Sequence, residues 1–228
     1  MIANKKKFSS GAVLLAGFAG VLILLFSPVF KGQNGLNFLD SLYNSISKDS
    51  ANYFPEVRGK VAPFAGTLIE VTLEPADAGE ASRTGALFEK AGARVRHTGK
   101  QITVRGSLGR ILGNCVSDTQ DLYNNDGEAI RARYAMDERL VVYTWYQALQ
   151  RLSRELNRQG DFRAAKVVDL VIQKAVELSY NYYRIEPLKI SRGAGVVTFS
   201  LIFYVIYTLW FGFAVLFLFE GWGLKLEH

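Results

Sequence analysis

Two stretches without a charged residue bound what this chain can fold into. Residues 11–30 and 193–219 contain no Asp, Glu, Lys, Arg or His, so all 27 Lys+Arg and 21 Asp+Glu fall elsewhere. About 18 or more apolar residues in a row read as a membrane span. At ~1.5 Å per residue the shorter stretch reaches ~30 Å, the thickness of a hydrocarbon core. The pattern excludes an ordinary soluble protein. With only two such stretches it also excludes a many-helix transporter. The mean hydropathy of +0.09 conceals this division.

Lys5, Lys6 and Lys7 precede the first stretch, and the positive-inside rule keeps that end in the cytoplasm. A cleaved signal peptide competes with this reading. The exit Ser27-Pro28-Val29-Phe30, however, is bulky where a cleavage site needs small residues, so an uncleaved anchor is expected. The second stretch is rich in rings, among them Phe199, Tyr204, Tyr207, Trp210 and Phe217. Lys189 and Arg192 stand before it, and Trp222 and Lys225 after it, as interfacial anchors do. Two spans return the chain to its starting side. Both termini are then cytoplasmic and residues 31–192 lie outside, in a bacterial-type cytoplasmic (inner) membrane. The outer segment carries 23 Lys+Arg against 19 Asp+Glu, which is no objection, because long translocated segments escape the charge rule. The terminal Leu226-Glu227-His228 resembles the scar of a purification tag and is set aside.

The outer segment reads as α+β. Leu36, Leu39, Tyr43 and Ile46 form the stripe of a short amphipathic helix over 34–54, lying on the membrane or closing over the domain. Residues 67–73 are β-rich and Pro75 stops them. A helix over 76–91 ends at Gly92. Two alternating arms, 93–97 and 101–105, flank Thr98-Gly99-Lys100 as a hairpin. A helix over 107–123 follows, weakened by Gly109 and Gly113. Ile130, Ala132 and Tyr134 alternate with arginines and predict a last strand over 129–134. That order approaches a split β-α-β sheet, which carries no function by itself.

Residues 137–184 give the clearest soluble signal. Val141, Trp145, Ala148, Leu152 and Leu156 share one helical face; Ala164, Val168, Val171, Ala175, Leu178 and Tyr182 share another. Gly160 and Asp161 separate them as C-terminal and N-terminal caps. The expected fold is therefore two transmembrane helices flanking an extracytoplasmic domain, built of a small split β-α-β-like sheet and a long antiparallel αα-hairpin.

Little of this points to a reaction. His97 is the only histidine outside the terminal tripeptide and Cys115 the only cysteine, too few for a zinc site. Cys115 suits a buried core position, with a mixed disulfide to a partner as the alternative. Asp118, Asp121, Asp126 and Glu128 are oxygen ligands of the kind calcium takes, but the EF-hand spacing around Gly127 fails. The glycines 106, 109 and 113 lack a P-loop ending and read as a turn and close helix packing. No Gly-x-Ser-x-Gly is present. No cofactor is expected.

The remaining signals concern association. Ala12, Ala16 and Gly20 repeat every four residues, a small-residue face for helix packing. Arg94, Arg96, Lys100, Arg105, Arg110, Arg131, Arg133 and Arg139 are scattered basic residues, several of which share one face if the sheet forms. Tyr182, Tyr183 and Arg184, with Arg131 and Arg133, are candidate contacts for a partner or for anionic lipid head groups. Nucleic acid is not an expected partner. These features favour a non-catalytic accessory, scaffold or assembly subunit of a membrane complex, partnered by the bilayer and by other subunits or by itself. A homo-oligomeric two-span channel with an outer domain is the alternative; Thr198, Ser200, Tyr204, Tyr207 and Thr208 supply hydroxyls to a pore. A membrane-tethered hydrolase or sensor stands third. The topology is checked by labelling: in a Cys115→Ser background, Ser50→Cys and Ser191→Cys should both react with an impermeant thiol reagent applied from outside, and failure of either overturns the two-span arrangement.

Overall fold

The computed structural model describes residues 2–30, 32–99 and 101–224. Lys100, Lys225 and the terminal tripeptide lie outside the described residues. The chain is mostly helical with one small sheet. It divides into two compact units, Met1–Ser50 with Glu186–His228, and Ala51–Ile185.

The first unit contains α1 (Lys5–Phe26), α2 (Gly35–Ser50) and α10 (Ile190–Trp222). Helices α1 and α10 are long and apolar enough to cross a membrane. They pack antiparallel. Asn4 donates its backbone N–H to Gly221 at 2.9 Å, and Lys7 pairs with Glu220 at 2.6 Å, so both ends of the described chain meet at one end of the pair. Along the interface the Tyr207 hydroxyl donates to the Phe18 carbonyl and the Trp210 indole to that of Leu14, both at 2.9 Å. Phe18 stacks on Tyr207 with centroids 4.2 Å apart.

These bonds settle the rotation of α1, because a donor left unpaired in hydrocarbon costs several kcal/mol. The face turned to α10 carries Gly11, Leu14 and Phe18. A Cβ on Gly11 would stand 2.7 Å from the Leu218 nitrogen, and one on Gly221 only 2.5 Å from that of Phe8. The predicted face Ala12, Ala16 and Gly20 is turned away; all three are exposed, and nothing lies within 4 Å of a Cβ on Gly20. Small residues do admit the backbones, but at Gly11 and Gly221.

The amphipathic helix α2 belongs with the spans. Its Tyr43 hydroxyl bonds Ser200 at 2.8 Å, its Ser45 carbonyl accepts from Leu188, and Ile46 fills the space above Gly193. Leu36 and Tyr43, placed on the stripe by sequence, are 51% and 39% exposed. Ile46, the fourth residue of that stripe, is buried, as is Gly35.

The second unit holds the core. It opens with α3 (Phe54–Val61) and a short 3₁₀ turn (Ala62–Phe64), neither of which the pattern reveals. Pro55 starts α3 with its fixed φ, and Phe54 and Val57 are buried. Then come β1 (Leu68–Leu73), α4 (Ala78–Lys90), β2 (Arg94–Thr98), β3 (Gln101–Ser107) and α5 (Leu108–Tyr123). The sheet order is β1-β3-β2, antiparallel throughout, with Val71 opposite Val104 and Val95 opposite Val104. Strand β3 thus lies between β1 and β2, as in a split β-α-β unit. Ile69, Val71, Leu73, Ile102 and Val104 point into the core. Gly109 lets α5 approach the 3₁₀ turn: a Cβ there would meet the Ala65 nitrogen at 2.5 Å.

The predicted strand over 129–134 does not form. Gly127–Tyr134 is the helix α6. Asp126 caps it by accepting from the Ala129 N–H, and Ala135 ends it in the left-handed region at φ 52°. The buried residues are Ile130 and Tyr134, four apart, whereas Ala132 is exposed. The alternation was coincidental; the cap and the period of four decide. The outer edge of β1 meets α7 (Glu138–Arg158) instead: Arg151 and Gln159 donate to the carbonyls of Glu74 and Glu70 at 2.9 and 3.2 Å.

The antiparallel hairpin is formed by α7, α8 (Phe162–Val171), a π-helical turn (Ile172–Val176) and α9 (Glu177–Tyr182). Trp145, Ala148, Leu152, Ala164, Val168, Val171 and Ala175 are all fully buried. The π turn adds one residue to the turn, so every later position shifts by one. Ser179 and Tyr183 are buried where Leu178 and Tyr182 were expected; the latter two are half-buried. Leu152→Ala should therefore destabilise the chain by about 2–5 kcal/mol, through lost burial and the cavity left behind, and Leu178→Ala by clearly less. Thermal unfolding of the two variants beside the parent checks the order, and equal losses would place Leu178 in the core.

Candidate functional site

Every buried carboxylate in the second unit is bonded to cationic or aromatic donors from neighbouring helices. Asp118 on α5 has no exposed surface. It accepts from the Tyr134 hydroxyl at 2.5 Å, the Trp145 indole at 2.8 Å, the Asn114 amide at 3.3 Å and the Arg133 guanidinium. Burial raises its pKa, against the lowering effect of those donors. Arg133 also holds Asp121 at 2.9 Å. One carboxylate thus ties α5, α6 and α7 together.

Glu138, the first residue of α7, is the second such group. Its side chain accepts from Arg131 at 2.6 Å and from the Tyr183 hydroxyl at 2.7 Å, and Arg184 stands 3.7 Å away. The Tyr183 hydrogen bond and its own backbone N–H, then Arg131, hold it down to about 2. Gly127 makes room for the pair: a Cβ there would lie 2.6 Å from the Tyr183 oxygen and 2.9 Å from the Glu138 Cγ. Glu80 is held likewise by Arg151 at 2.5 Å.

Tyr183, Arg184 and Arg131 therefore converge on Glu138, with the Arg184 and Arg131 side chains still exposed. Tyr183 is buried, so it is not a surface for partner or lipid; Tyr182 is half-buried against the core. Arg133 faces Asp118 and Asp121. The four calcium candidates do not gather. Asp118 and Asp121 are taken by Arg133, Asp126 caps α6, and Glu128 is exposed beside Arg131. Among the described residues no three His, Cys, Asp or Glu side chains form a metal-binding group. Cys115 is fully buried, and burial pushes its thiol well above its ordinary value, with Asp118 adding to the effect. A mixed disulfide is excluded for the folded chain, since the nucleophile is the exposed thiolate. Arg94, Arg96 and Arg105 do share the outer face of the sheet, Arg94 directly opposite Arg105.

One open groove lies elsewhere, between α7 and α9. It has a volume of about 290 Å³ and is lined by Val142, Tyr143, Tyr146, Val176, Glu177, Tyr180 and Asn181. Tyr143 and Tyr180 are 47% and 41% exposed. The rings of Tyr143 and Tyr146 are nearly parallel, with centroids 6.3 Å apart. None of the three hydroxyls, nor Glu177 or Asn181, has a side-chain hydrogen bond or ion pair among the described residues. The π turn builds this wall, since the one-residue shift puts Tyr180 where an unbroken helix would place Ser179. Sequence reasoning passed over these residues. The signal was there in Tyr143 and Tyr146, large rings three apart and off the packing stripe of α7.

Comparison of the chain with protein-family profiles, with curated proteins and with solved structures gives no match.

The two carboxylates act on stability in opposite senses. Glu138 is depressed in the fold, so its contribution is present above its ordinary value of 4.5 and is lost as pH falls toward about 2. Asp118 is raised above its ordinary 3.8, so its ionisation detracts from stability as pH rises through that region. Glu138→Gln should lower the melting temperature at pH 7 and flatten its decline between pH 4.5 and 2. Gly127→Ala, which crowds the same pair, should cost about 1–3 kcal/mol. Melting curves of both variants across pH check this; an unchanged acid limb in Glu138→Gln would show that the contact contributes nothing.

Proposed function

We propose that this chain is a non-catalytic accessory subunit of a membrane complex, anchored by α1 and α10 and presenting the second unit outside the cytoplasm as a binding module. One observation carries the reading. The buried carboxylates Asp118, Glu138 and Glu80 are all engaged in joining helices, while an open groove between α7 and α9 is lined by Tyr143, Tyr146, Tyr180, Glu177 and Asn181. A reactive centre keeps a functional group poised toward its cavity; here the cavity offers rings and one carboxylate, which bind. Lys5, Lys6 and Lys7 at one end of the helix pair support a cytoplasmic position for both termini.

Self-association through the uncovered Ala12, Ala16 and Gly20 face supports the channel reading, and one experiment separates the two. Solubilised from its native membrane, the chain should run as a particle containing a foreign subunit in fixed stoichiometry. A symmetric particle of this chain alone that passes ions in liposomes would replace the accessory reading with the channel.

A further inference from the structure

The two edges of the three-stranded sheet differ. The outer edge of β1 is closed by α7, through Arg151 and Gln159. The outer edge of β2 is open: among the described residues nothing outside the sheet hydrogen-bonds to residues 94–98. We propose that β2 is a docking edge for an acidic extended segment of the foreign subunit, which joins the sheet as a fourth strand. This rests on the accessory reading and adds the chemistry of the partner.

In an antiparallel pair, alternate residues of a strand turn both N–H and C=O toward the neighbour, so the others in β2 turn theirs outward. Such a row of backbone groups is a template for another strand. Val95 and His97 lie on the side packed against α4, where both approach Gly85. Arg94 and Arg96 therefore stand on the opposite, outer face, and both are exposed. Arg105 of β3 shares that face, directly opposite Arg94. Glu70 is the acidic group that reaches it, 3.8 Å from Arg105, in a pair whose side chains are 67% and 63% exposed. Arg94 and Arg96 form no ion pair among the described residues, so the open edge carries uncompensated positive charge.

Like charges directly opposite each other weaken a sheet, so the pairing of Arg94 with Arg105 detracts from the stability of the free chain. A fourth strand with carboxylates on the outer face offsets that repulsion and adds charge-assisted hydrogen bonds. Its other face should be apolar, continuing Val95. A second copy of β2 does not suit the edge, because antiparallel pairing of the strand with itself would set arginines beside arginines. The same arginines deter pairing with basic or neutral strands, which reserves the edge for an acidic one.

The test uses the full chain, produced without its native partners, in an uncharged maltoside detergent. It is titrated with the peptide acetyl-Val-Glu-Val-Glu-Val-Thr-amide, with the same peptide N-methylated along its backbone, and with micelles containing phosphatidylglycerol. The plain peptide should bind saturably and the N-methylated one at least about ten-fold more weakly, since main-chain hydrogen bonds carry strand addition. Arg94→Glu combined with Arg96→Glu should weaken the plain peptide by about ten-fold or more, while Lys166→Glu, on the exposed side of α8, should stay within about two-fold. The double variant should melt at or above the parent's temperature, because Arg94→Glu turns a like-charge pair into an opposite one. Equal binding of the two peptides overturns strand addition, as does undiminished binding by the double variant or the absence of binding. Phosphatidylglycerol binding that depends on Arg94 and Arg96, with no binding of the peptide, makes the face a lipid contact and overturns the proposal. In the native membrane the double variant should lose the foreign subunit that the parent carries. A foreign subunit kept by both sinks the docking edge alone. A parent that carries none sinks the accessory reading, and the peptide titration still decides the edge.

Discussion

A carboxylate without access to water must have its lone pairs bonded, and the second unit is organised around that demand at Asp118. Trp145, Tyr134, Asn114 and Arg133 all turn to it. Each donor comes from α5, α6 or α7, so the relative placement of three helices is fixed by one acceptor. Removing a partner from such a cluster leaves a buried charge exposed to low dielectric, which costs far more than the net worth of any one bond. Arg133 extends the network to Asp121, and Glu138, at the start of α7, repeats the arrangement with Arg131 and Tyr183. The apolar core closes over these groups; Phe88 meets the Trp145 ring edge-on at 5.8 Å.

The apolar pair α1 and α10 obeys the same rule in another setting. Two donors, on Tyr207 and Trp210, find carbonyls on α1. In hydrocarbon a helix gains little by burying one apolar face over another, so hydrogen bonds and ring stacking choose the face. The small residues serve where backbones meet, at Gly11 and Gly221, and the stripe through Ala12, Ala16 and Gly20 is left uncovered by this chain.

The π turn has two consequences at once. It moves Ser179 and Tyr183 into the core, giving Glu138 its tyrosine partner, and it brings Tyr180 to the wall of the groove beside Tyr143 and Tyr146. The same residue count that perfects an internal contact thereby shapes an external one. Extra-residue turns of this kind recur at functional sites, and here the stability network and the aromatic groove share an origin.

The sequence by itself determined the elements whose signals are local. Lengths free of charge made α1 and α10, caps at Asp137 and Asp161 and a stripe of period 3.6 made α7 and α8, and two alternating arms around Gly99 made the hairpin of β2 and β3. It failed where a local pattern admitted two periods, as at Ile130, Ala132 and Tyr134, or where packing chose among equal faces, as on α1. No linear pattern announces a π turn, so the buried side of α9 and the groove wall were decided only when α8 and α9 packed on α7. The carboxylate partners came likewise from tertiary structure: Asp118 and Arg133 are 15 residues apart and Glu138 and Tyr183 are 45, and only the fold brings a desolvated charge to its donors.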